Sequence, residues 1–218
     1  AYFSAGELQQ AVERCEFAER LAQQTDVSYD VARVANLQGM LALNREQPSA
    51  AIDYFQRAAG LFRSHGLAEL AALVEDNLAR VYIDIGDPQQ GLRYARAALD
   101  DELRQGRAIH ALTSRANVAR AESALGNHAV AAREIQTSID EALAMQQLPL
   151  MTDLYAAQSD IAERAGDTAL ALQAARAAAE ALVTLQEDSG NDEVLTLEAR
   201  MAERERQWQV ESLQRDKA

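Results

Sequence analysis

The sequence predicts an all-α fold, a solenoid of antiparallel helix pairs followed by a long C-terminal helix. Helix breakers are scarce, with three prolines and ten glycines in 218 residues. Short breaks recur every forty residues, and a second set falls midway between them, which indicates two helices per repeat. The first set is Gly6-Glu7, Glu46-Gln47-Pro48, Gly86-Asp87-Pro88, Gly126-Asn127-His128 and Gly166-Asp167-Thr168, and the second is Gly66, Gly106 and Gln146.

These breaks divide the chain into four complete helix pairs preceded by a truncated repeat, whose second helix is residues 6–24. The predicted pairs are 28–45 with 49–65, 67–85 with 88–105, 107–125 with 128–145, and 149–165 with 168–186. We expect a one-residue insertion in the first turn, near residues 45–47. That insertion would keep Asn36 in line with the later repeats.

The residues around each break fit this arrangement. Glycine takes the left-handed conformation that closes a helix, and Asp87, Asn127 or Asp167 is then expected to cap the next helix. Small residues recur where two helices must approach closely. One register holds Ala11, Ala51, Gly91, Ala131 and Ala171, and another holds Ala18, Ala58, Ala98, Ser138 and Ala178.

One helix–turn–helix segment resembles the tetratricopeptide repeat family. It consists of residues 77–82 (Asn-Leu-Ala-Arg-Val-Tyr), Gly86-Asp87 and Ala98. The usual period is 34 residues. The longer period here is similar to the branch found in bacterial regulators and kinesin light chains, whose helix A carries an Asn-Leu signature. That signature is matched by Asn36-Leu37, Asn77-Leu78 and Asn117-Val118, whereas the fourth repeat has Ala157-Gln158. The resemblance covers residues 6–186 and implies a tetratricopeptide-like superhelical solenoid without specifying a ligand.

The C-terminal segment differs in composition. Residues 186–192 are polar and end in Asp192, a good N-cap for a Glu-, Arg- and Gln-rich helix that reaches the end of the chain. We therefore predict a solenoid over residues 1–187 and a linker with a charged helix over 188–218. Val194, Met201 and Trp208 stand seven residues apart, as in a short heptad. They are candidates for a dimer or output contact, through which the chain would form a weak homodimer. The alternative is that this helix caps the last repeat.

Residues 197–206 and 213–216 are similar to the charged helix that joins an extracytoplasmic tetratricopeptide region to a membrane helix. In such proteins a diguanylate cyclase or, less often, a histidine kinase domain follows. The resemblance implies that this chain is the N-terminal sensory region of such a protein. Its sequence lacks the Gly-Gly-Asp/Glu-Glu-Phe signature of a cyclase, so any such activity would lie outside this chain.

The overall charge narrows the choice of partners. A formal net charge of −13 repels phosphate backbones and anionic lipid, so we expect no nucleic acid or membrane-surface ligand. A cationic peptide or a neutral groove ligand fits this charge. The chain starts at Ala1 without a signal peptide, so we interpret it as a mature or excised piece. The resemblance favours a periplasmic part of an inner-membrane protein, with the cytoplasm as the alternative.

Motifs for catalysis or cofactor binding are absent from the sequence. It contains no glycine-rich phosphate loop, nucleophile elbow or zinc-binding helix motif, so we predict a non-enzymatic chain without cofactor or metal. His65 and His128 fall at helix boundaries, which favours capping or solvation over metal binding, and His110 is distant from both. Cys15 shares the register of Ala95, which favours a small buried side chain over a reactive thiol.

The best candidate site is a groove lined by the A helices. The resemblance implies that Asn36, Asn77 and Asn117 hold the backbone of an extended peptide there. The alternative is that each amide bonds to a neighbouring helix. Arg80 and Arg120 each share a helix face with an asparagine and could receive a carboxylate. The alternative is a surface ion pair with an acid such as Asp76 or Asp84.

These observations support two functional hypotheses. The first is a non-catalytic sensory module that binds a ligand or protein in its groove and regulates a diguanylate cyclase type of output domain outside the chain. The second is a stand-alone scaffold or adaptor that binds peptides or proteins. In both cases the expected partner is a peptide or protein in the concave groove.

Overall fold

The computed structural model describes residues 28–185, in which all regular structure is helical. Seven helices of 17 residues each are separated by three-residue turns, and an eighth, α8, covers 168–185 up to the last described residue. The seven are α1 Ser28–Asn44, α2 Pro48–Ser64, α3 Ala68–Asp84, α4 Pro88–Arg104, α5 Ala108–Ala124, α6 His128–Ala144 and α7 Leu148–Arg164. The predicted all-α solenoid of helix pairs is confirmed, and the predicted bounds of these seven helices are correct to within one residue.

Every turn between described helices closes in the same way. Its second residue has a positive φ, between 56° and 86°, and is glycine in five turns and Glu46 or Gln146 in the other two. After α3, the Gly86 N–H donates to the Ile83 carbonyl at 3.1 Å and the Asp87 N–H to the Tyr82 carbonyl at 2.8 Å. This is the Schellman arrangement, which satisfies the last free carbonyls of the helix. Its repetition fixes the chain to twenty residues per helix and turn.

Two details of the turns differ from the sequence predictions. The first turn, residues 45–47, has three residues like all the others, so the predicted insertion is wrong. Asp87 and Asp167 do cap, accepting from the backbone N–H of Gln90 at 3.2 Å and of Leu170 at 3.1 Å. Asn127 does not cap. Its amide donates to Glu122 Oε2 at 2.7 Å, because that carboxylate is buried and requires a donor.

Helix packing defines an inner and an outer layer. Each helix from α1 to α6 packs against the next one in sequence, and α5 also packs against α3 and α7. The described even-numbered helices do not pack on one another to a comparable extent. Helices α3, α5 and α7 are therefore closer together than the even-numbered helices, and the face that these three share is the inner, concave face of the stack.

Small residues allow this close packing. Ala51, Ala58, Ala98, Ala131 and Ser138 are all fully buried, as their shared registers predict. At Gly91, a Cβ would lie 2.6 Å from Ile83 Cγ1 and 2.9 Å from the Ala79 carbonyl oxygen, so no side chain fits there. Ala171 and Ala178 are half-buried on α8, and Ala11 and Ala18 lie outside the described residues.

The core is interrupted by buried polar residues at the middle of the stack. One apolar cluster joins α1, α2 and α3, and a second joins α5, α6 and α7. A small third cluster of Ala79, Ala95 and Val118 lies between them. The buried polar residues on α3, α4 and α5 are Glu75, Asp76, Glu102, Ser114, Asn117, Glu122 and Ser123. The centre of the described solenoid therefore depends on hydrogen bonds as well as on apolar contact.

Several predictions fall outside the described residues. They concern Cys15, the dimer or output candidates Val194, Met201 and Trp208, and the domain boundary after residue 187. These stay predictions.

Candidate functional site

A cavity of about 260 Å³ opens on the inner face between α3, α5 and α7. It brings together two predicted groove residues, Arg80 and Arg120, from neighbouring A helices. Its charged lining consists of three arginines and three aspartates, namely Arg80, Arg120, Arg164, Asp84, Asp153 and Asp160. The cavity lining therefore has no formal net charge, whereas the whole chain has a net charge of −13.

Arg120 is held in place by neutral acceptors. Its Nη1 donates to Asn117 Oδ1 at 3.3 Å, and its Nη2 donates to the Asp153 backbone carbonyl at 3.1 Å. Burial is the main cause that lowers the pKa of Arg120, and the nearby charge of Arg80 lowers it further, whereas the charges of Asp153, Asp160 and Asp84 raise it. The guanidinium still carries its charge at neutral pH, because arginine does not deprotonate in proteins. A positive charge is therefore fixed in a partly desolvated position.

Arg80 is the exposed member of the pair. Within residues 28–185, neither Arg80 nor Arg120 forms an ion pair with a carboxylate. The surface ion pair of the alternative interpretation is not formed at contact distance in this range, and Asp84 acts on Arg120 only through its charge. Asp76, one of its proposed partners, is buried and bonded elsewhere, and Asp84 lines the cavity without pairing.

Asn117 is buried and joins two A helices. Its Nδ2 donates to Asp76 Oδ1 at 3.1 Å, and Ser114 Oγ donates to Asp76 Oδ2 at 2.8 Å. Desolvation by burial raises the pKa of Asp76 to about 7, despite these two hydrogen bonds. Asn117 therefore has the contacts expected of an amide that holds two neighbouring repeats together.

The other two predicted asparagines occupy different positions. Asn77 is half-buried on α3, and no hydrogen bond from its amide is found within the described part of the chain. Asn36 is forty residues before Asp76 and not before Asn77. Because the first turn lacks an insertion, Leu37 occupies the register of Asn77 and Asn117. Asn36 is therefore rotated by about 100° around its helix from that register. The structure does not bring the three asparagines into one ladder.

Buried carboxylates were missed by the sequence analysis. Arg63 Nη2 donates to Glu75 Oε2 at 2.7 Å, and Arg96 Nη2 donates to Glu122 Oε1 at 2.5 Å. Glu102, fully buried, accepts from Arg107 Nε at 2.5 Å. The repeat register carried a clue, since Glu102 takes the position of the core residues Phe62 and Ala142. These pairs join helices and turns and do not face the groove cavity.

The histidines and the helices give no indication of a metal or membrane site. His65 Nδ1 lies 2.7 Å from the Leu61 carbonyl oxygen at the end of α2, and His110 Nδ1 lies 3.7 Å from Glu102 Oε2. Between residues 28 and 185, no three His, Cys, Asp or Glu side chains are arranged to hold a metal ion. In the same range, no helix has both the length and the hydropathy needed to cross a membrane.

The fold defines the chain as a tetratricopeptide-like helical repeat solenoid. RapI, in its apo form, superposes with a TM-score of 0.69 at 12% identity, and the match covers 84% of this chain and 65% of RapI. TPR-like repeats of a Podosopora anserina kinesin light chain match with a TM-score of 0.61 at 16% identity, covering 84% and 90%. BtubC from P. vanneervenii gives 0.55 at 14%, covering 84% and 93%. No protein-family model and no curated sequence matches the chain.

The geometry predicts that Asn117 and Asn77 differ in their importance for stability. Asn117→Ala should lower the free energy of unfolding by about 1–3 kcal/mol, because it leaves the buried Asp76 without one hydrogen bond. The matched change Asn77→Ala should alter it by less than about 0.5 kcal/mol. Urea unfolding of both variants measures the difference. Equal losses would show that the Asn117–Asp76 contact does not hold the helices together.

Proposed function

We propose that this chain is a non-catalytic scaffold or adaptor whose concave groove binds a peptide or protein segment. Arg80 and Arg120 would receive a carboxylate of that segment. Repeat solenoids present extended concave surfaces of this kind to their partners. The proposal rests on one observation above all, the two neighbouring arginines that form no ion pair with any carboxylate of residues 28–185.

Electrostatics support a carboxylate as the ligand group. The two guanidinium groups repel each other, so the charge of Arg80 lowers the pKa of Arg120. Asp153, Asp160 and Asp84 offset this only in part, because the pKa of Arg120 stays below its ordinary value. A bound carboxylate would offset this repulsion and accept charge-assisted hydrogen bonds from both side chains. Asp84, Asp153 and Asp160 at the cavity margin would discourage additional negative charge. We therefore expect a single carboxylate and not a polyacidic segment.

The neighbouring polar groups favour a peptide as the rest of the ligand. Asn77 lies one turn before Arg80 on α3, and an amide can both donate to and accept from an extended backbone. The predicted roles of Asn36 and Asn117 in the groove are not part of this proposal, since their positions do not support it. The remaining contacts would come from the exposed inner face of α3 and α7.

The scaffold is preferred to the sensory module for a specific reason. The link to a cyclase or kinase output rests on residues 188–218, which lie outside the described residues. None of the three similar structures described above is named as a cyclase or a kinase. No described residue favours regulation of an output domain over simple binding.

The carboxylate can be tested with a set of dodecapeptides synthesised both as free acids and as C-terminal amides, with Glu and Gln versions of each. We expect binders to require one carboxylate. The variant Arg80→Gln should weaken their affinity about 10–100-fold, as loss of a charged hydrogen bond predicts. Arg176→Gln, which removes an exposed arginine on α8, is the matched control and should leave affinity unchanged. Fluorescence anisotropy measures the dissociation constants.

Two results would count against the proposal in different ways. If no peptide binds more tightly than about 1 mM, which corresponds to about −4 kcal/mol, the groove is not a peptide site. If peptides bind, but the acid and amide forms bind equally and Arg80→Gln has no effect, the arginines do not receive the carboxylate.

A further inference from the structure

A second cavity, of about 420 Å³, lies between α6, α7 and α8, and its walls are mostly apolar. The residues that matter here are Ala132, Ile135, Gln136, Ala162 and Ala165. Ile161 contributes to this cavity and also to the groove cavity, so the two flank the same helix. No described charged pair spans the second cavity.

The same place eighty residues earlier is filled by the chain itself. The positions there are Ile52, Phe55, Gln56, Tyr82 and Ile85. The Tyr82 ring packs against the α1–α3 core and stacks on Tyr94, with ring centroids 5.5 Å apart and planes 8° apart. Gln56 Nε2 donates to the Tyr82 hydroxyl at 3.1 Å. At this earlier junction, where α2, α3 and α4 meet, the site is therefore occupied by a tyrosine of the chain itself.

The last junction, where α6, α7 and α8 meet, has smaller side chains at these positions but keeps the glutamine. Ala162 stands in place of Tyr82, and smaller residues replace the other three apolar side chains, with Ala132 for Ile52, Ile135 for Phe55 and Ala165 for Ile85. Gln136 retains the glutamine that binds the tyrosine hydroxyl in the earlier junction. At the intermediate junction, the equivalent positions hold the Arg96–Glu122 ion pair. Only the last of these three described junctions leaves the position open.

The polar groups at the cavity have unused hydrogen-bonding capacity. Gln136 Nε2 donates to Asp140 Oδ1 at 2.8 Å, which uses one of its two amide hydrogens. Gln158 Nε2 donates to Gln136 Oε1 at 3.0 Å, and no described group donates to Gln158 Oε1. The Nδ1 atom of His128 is enclosed and has no hydrogen-bond partner in the described part of the chain. A hydroxyl can both accept from Gln136 and donate to Gln158 Oε1.

We propose that this cavity binds the tyrosine side chain of a partner polypeptide, in the place that Tyr82 occupies two repeats earlier. An aliphatic cavity of about 150 Å³ is already large enough for benzene, so the volume is sufficient for a phenol ring. The site is separate from the arginine groove and does not depend on the carboxylate.

The test uses p-cresol, which is the isolated tyrosine side chain, with the full chain. We expect p-cresol to raise the melting temperature and to shift the methyl resonances of Ile135 and Ile161, while toluene, which lacks the hydroxyl, does so less. Ala162→Tyr should raise the melting temperature by itself and abolish the response to p-cresol. Tyr82→Ala is the positive control, since it opens the equivalent cavity and should add a second p-cresol response. A tripeptide with a central tyrosine should bind, and its phenylalanine analogue should bind several-fold more weakly.

Each other outcome contradicts the proposal. If Tyr82→Ala responds to p-cresol and the natural chain does not, the last junction is not a tyrosine site. If p-cresol still raises the melting temperature of Ala162→Tyr in full, it binds outside this cavity. If Ala162→Tyr does not fold, the smaller variant Ala162→Leu is used in its place. If p-cresol binds and the tyrosine tripeptide does not, the ligand is a free phenol and not the side chain of a partner polypeptide. Arg80→Gln should not change any of these results, so failure here is distinguishable from failure in the groove.

Discussion

Replacing Asp76 by asparagine should stabilise the protein at pH 8 and reduce the pH dependence of its unfolding. Burial raises the pKa of Asp76 from 3.8 to about 7, with Glu75 and Glu102 contributing, whereas Ser114 and Asn117 lower it. The folded chain therefore holds this proton more tightly than the unfolded chain. The stabilising contribution is complete below about pH 4 and is lost as the pH rises through about 7. The shift of about three units corresponds to at most ~4 kcal/mol.

We expect a net gain of about 1–3 kcal/mol at pH 8 for Asp76→Asn. The gain is smaller than the full shift because the new amide places a donor opposite a donor of Ser114 or Asn117. Urea unfolding between pH 4 and 8 measures it, and Asp53→Asn, at an exposed position on α2, is the control. Parallel pH curves for the natural chain and Asp76→Asn would show that Asp76 does not retain its proton in the folded state.

Phe55→Ala should destabilise the protein by about 3–5 kcal/mol. Phe55 is fully buried in the cluster that joins α1, α2 and α3. Its ring lies against Gly39, where a Cβ would be 2.5 Å from Phe55 Cε1. The missing side chain on α1 therefore makes room for the ring on α2, and the two residues should be coupled.

A double-mutant cycle tests this coupling. Gly39→Ala should destabilise the natural chain by about 1–3 kcal/mol because of overpacking. In the Phe55→Ala background the same change should stabilise by about 0.5–1 kcal/mol, since the clash is gone and alanine is the better helix former. A change of sign between the two backgrounds is the expected result. Additive losses would contradict the contact, and Gly60→Ala, at an open position on α2, is the control for helix propensity alone.

The bounds of the helices could be predicted because the residues that end each helix lie next to it in the sequence. Gly86 and Gly126 adopt the positive φ that their position demands, and the forty-residue spacing then locates the less obvious turns at Glu46 and Gln146. The small side chains at Ala51 and Gly91 were equally visible, since helix contact requires them in every repeat. Local chemistry and one period therefore suffice for the architecture.

The site was only partly predictable because it depends on contacts between distant residues. Arg80 and Arg120 share a register, and the structure does bring them to one cavity. The position of Asn117 could be predicted in the same way. Its partner Asp76, however, is forty-one residues away, and no neighbouring residue in the sequence shows that this aspartate is buried. Asn36 was misplaced because one residue changes the helix face. A charged residue in a register that holds alanine in the next two repeats, Asp76 before Ala116 and Ala156, was the clue available.

The equal length of every described helix and turn also constrains how the gene can change. A deletion or duplication of forty residues anywhere between residues 28 and 185 joins each position to its counterpart in another repeat. The buried face and the positive-φ turn residue then stay in phase. A change of one or a few residues within a helix rotates the rest of that helix by about 100° for each residue and exposes its core alanines. We therefore expect insertions and deletions in the gene to add or remove helices in whole pairs.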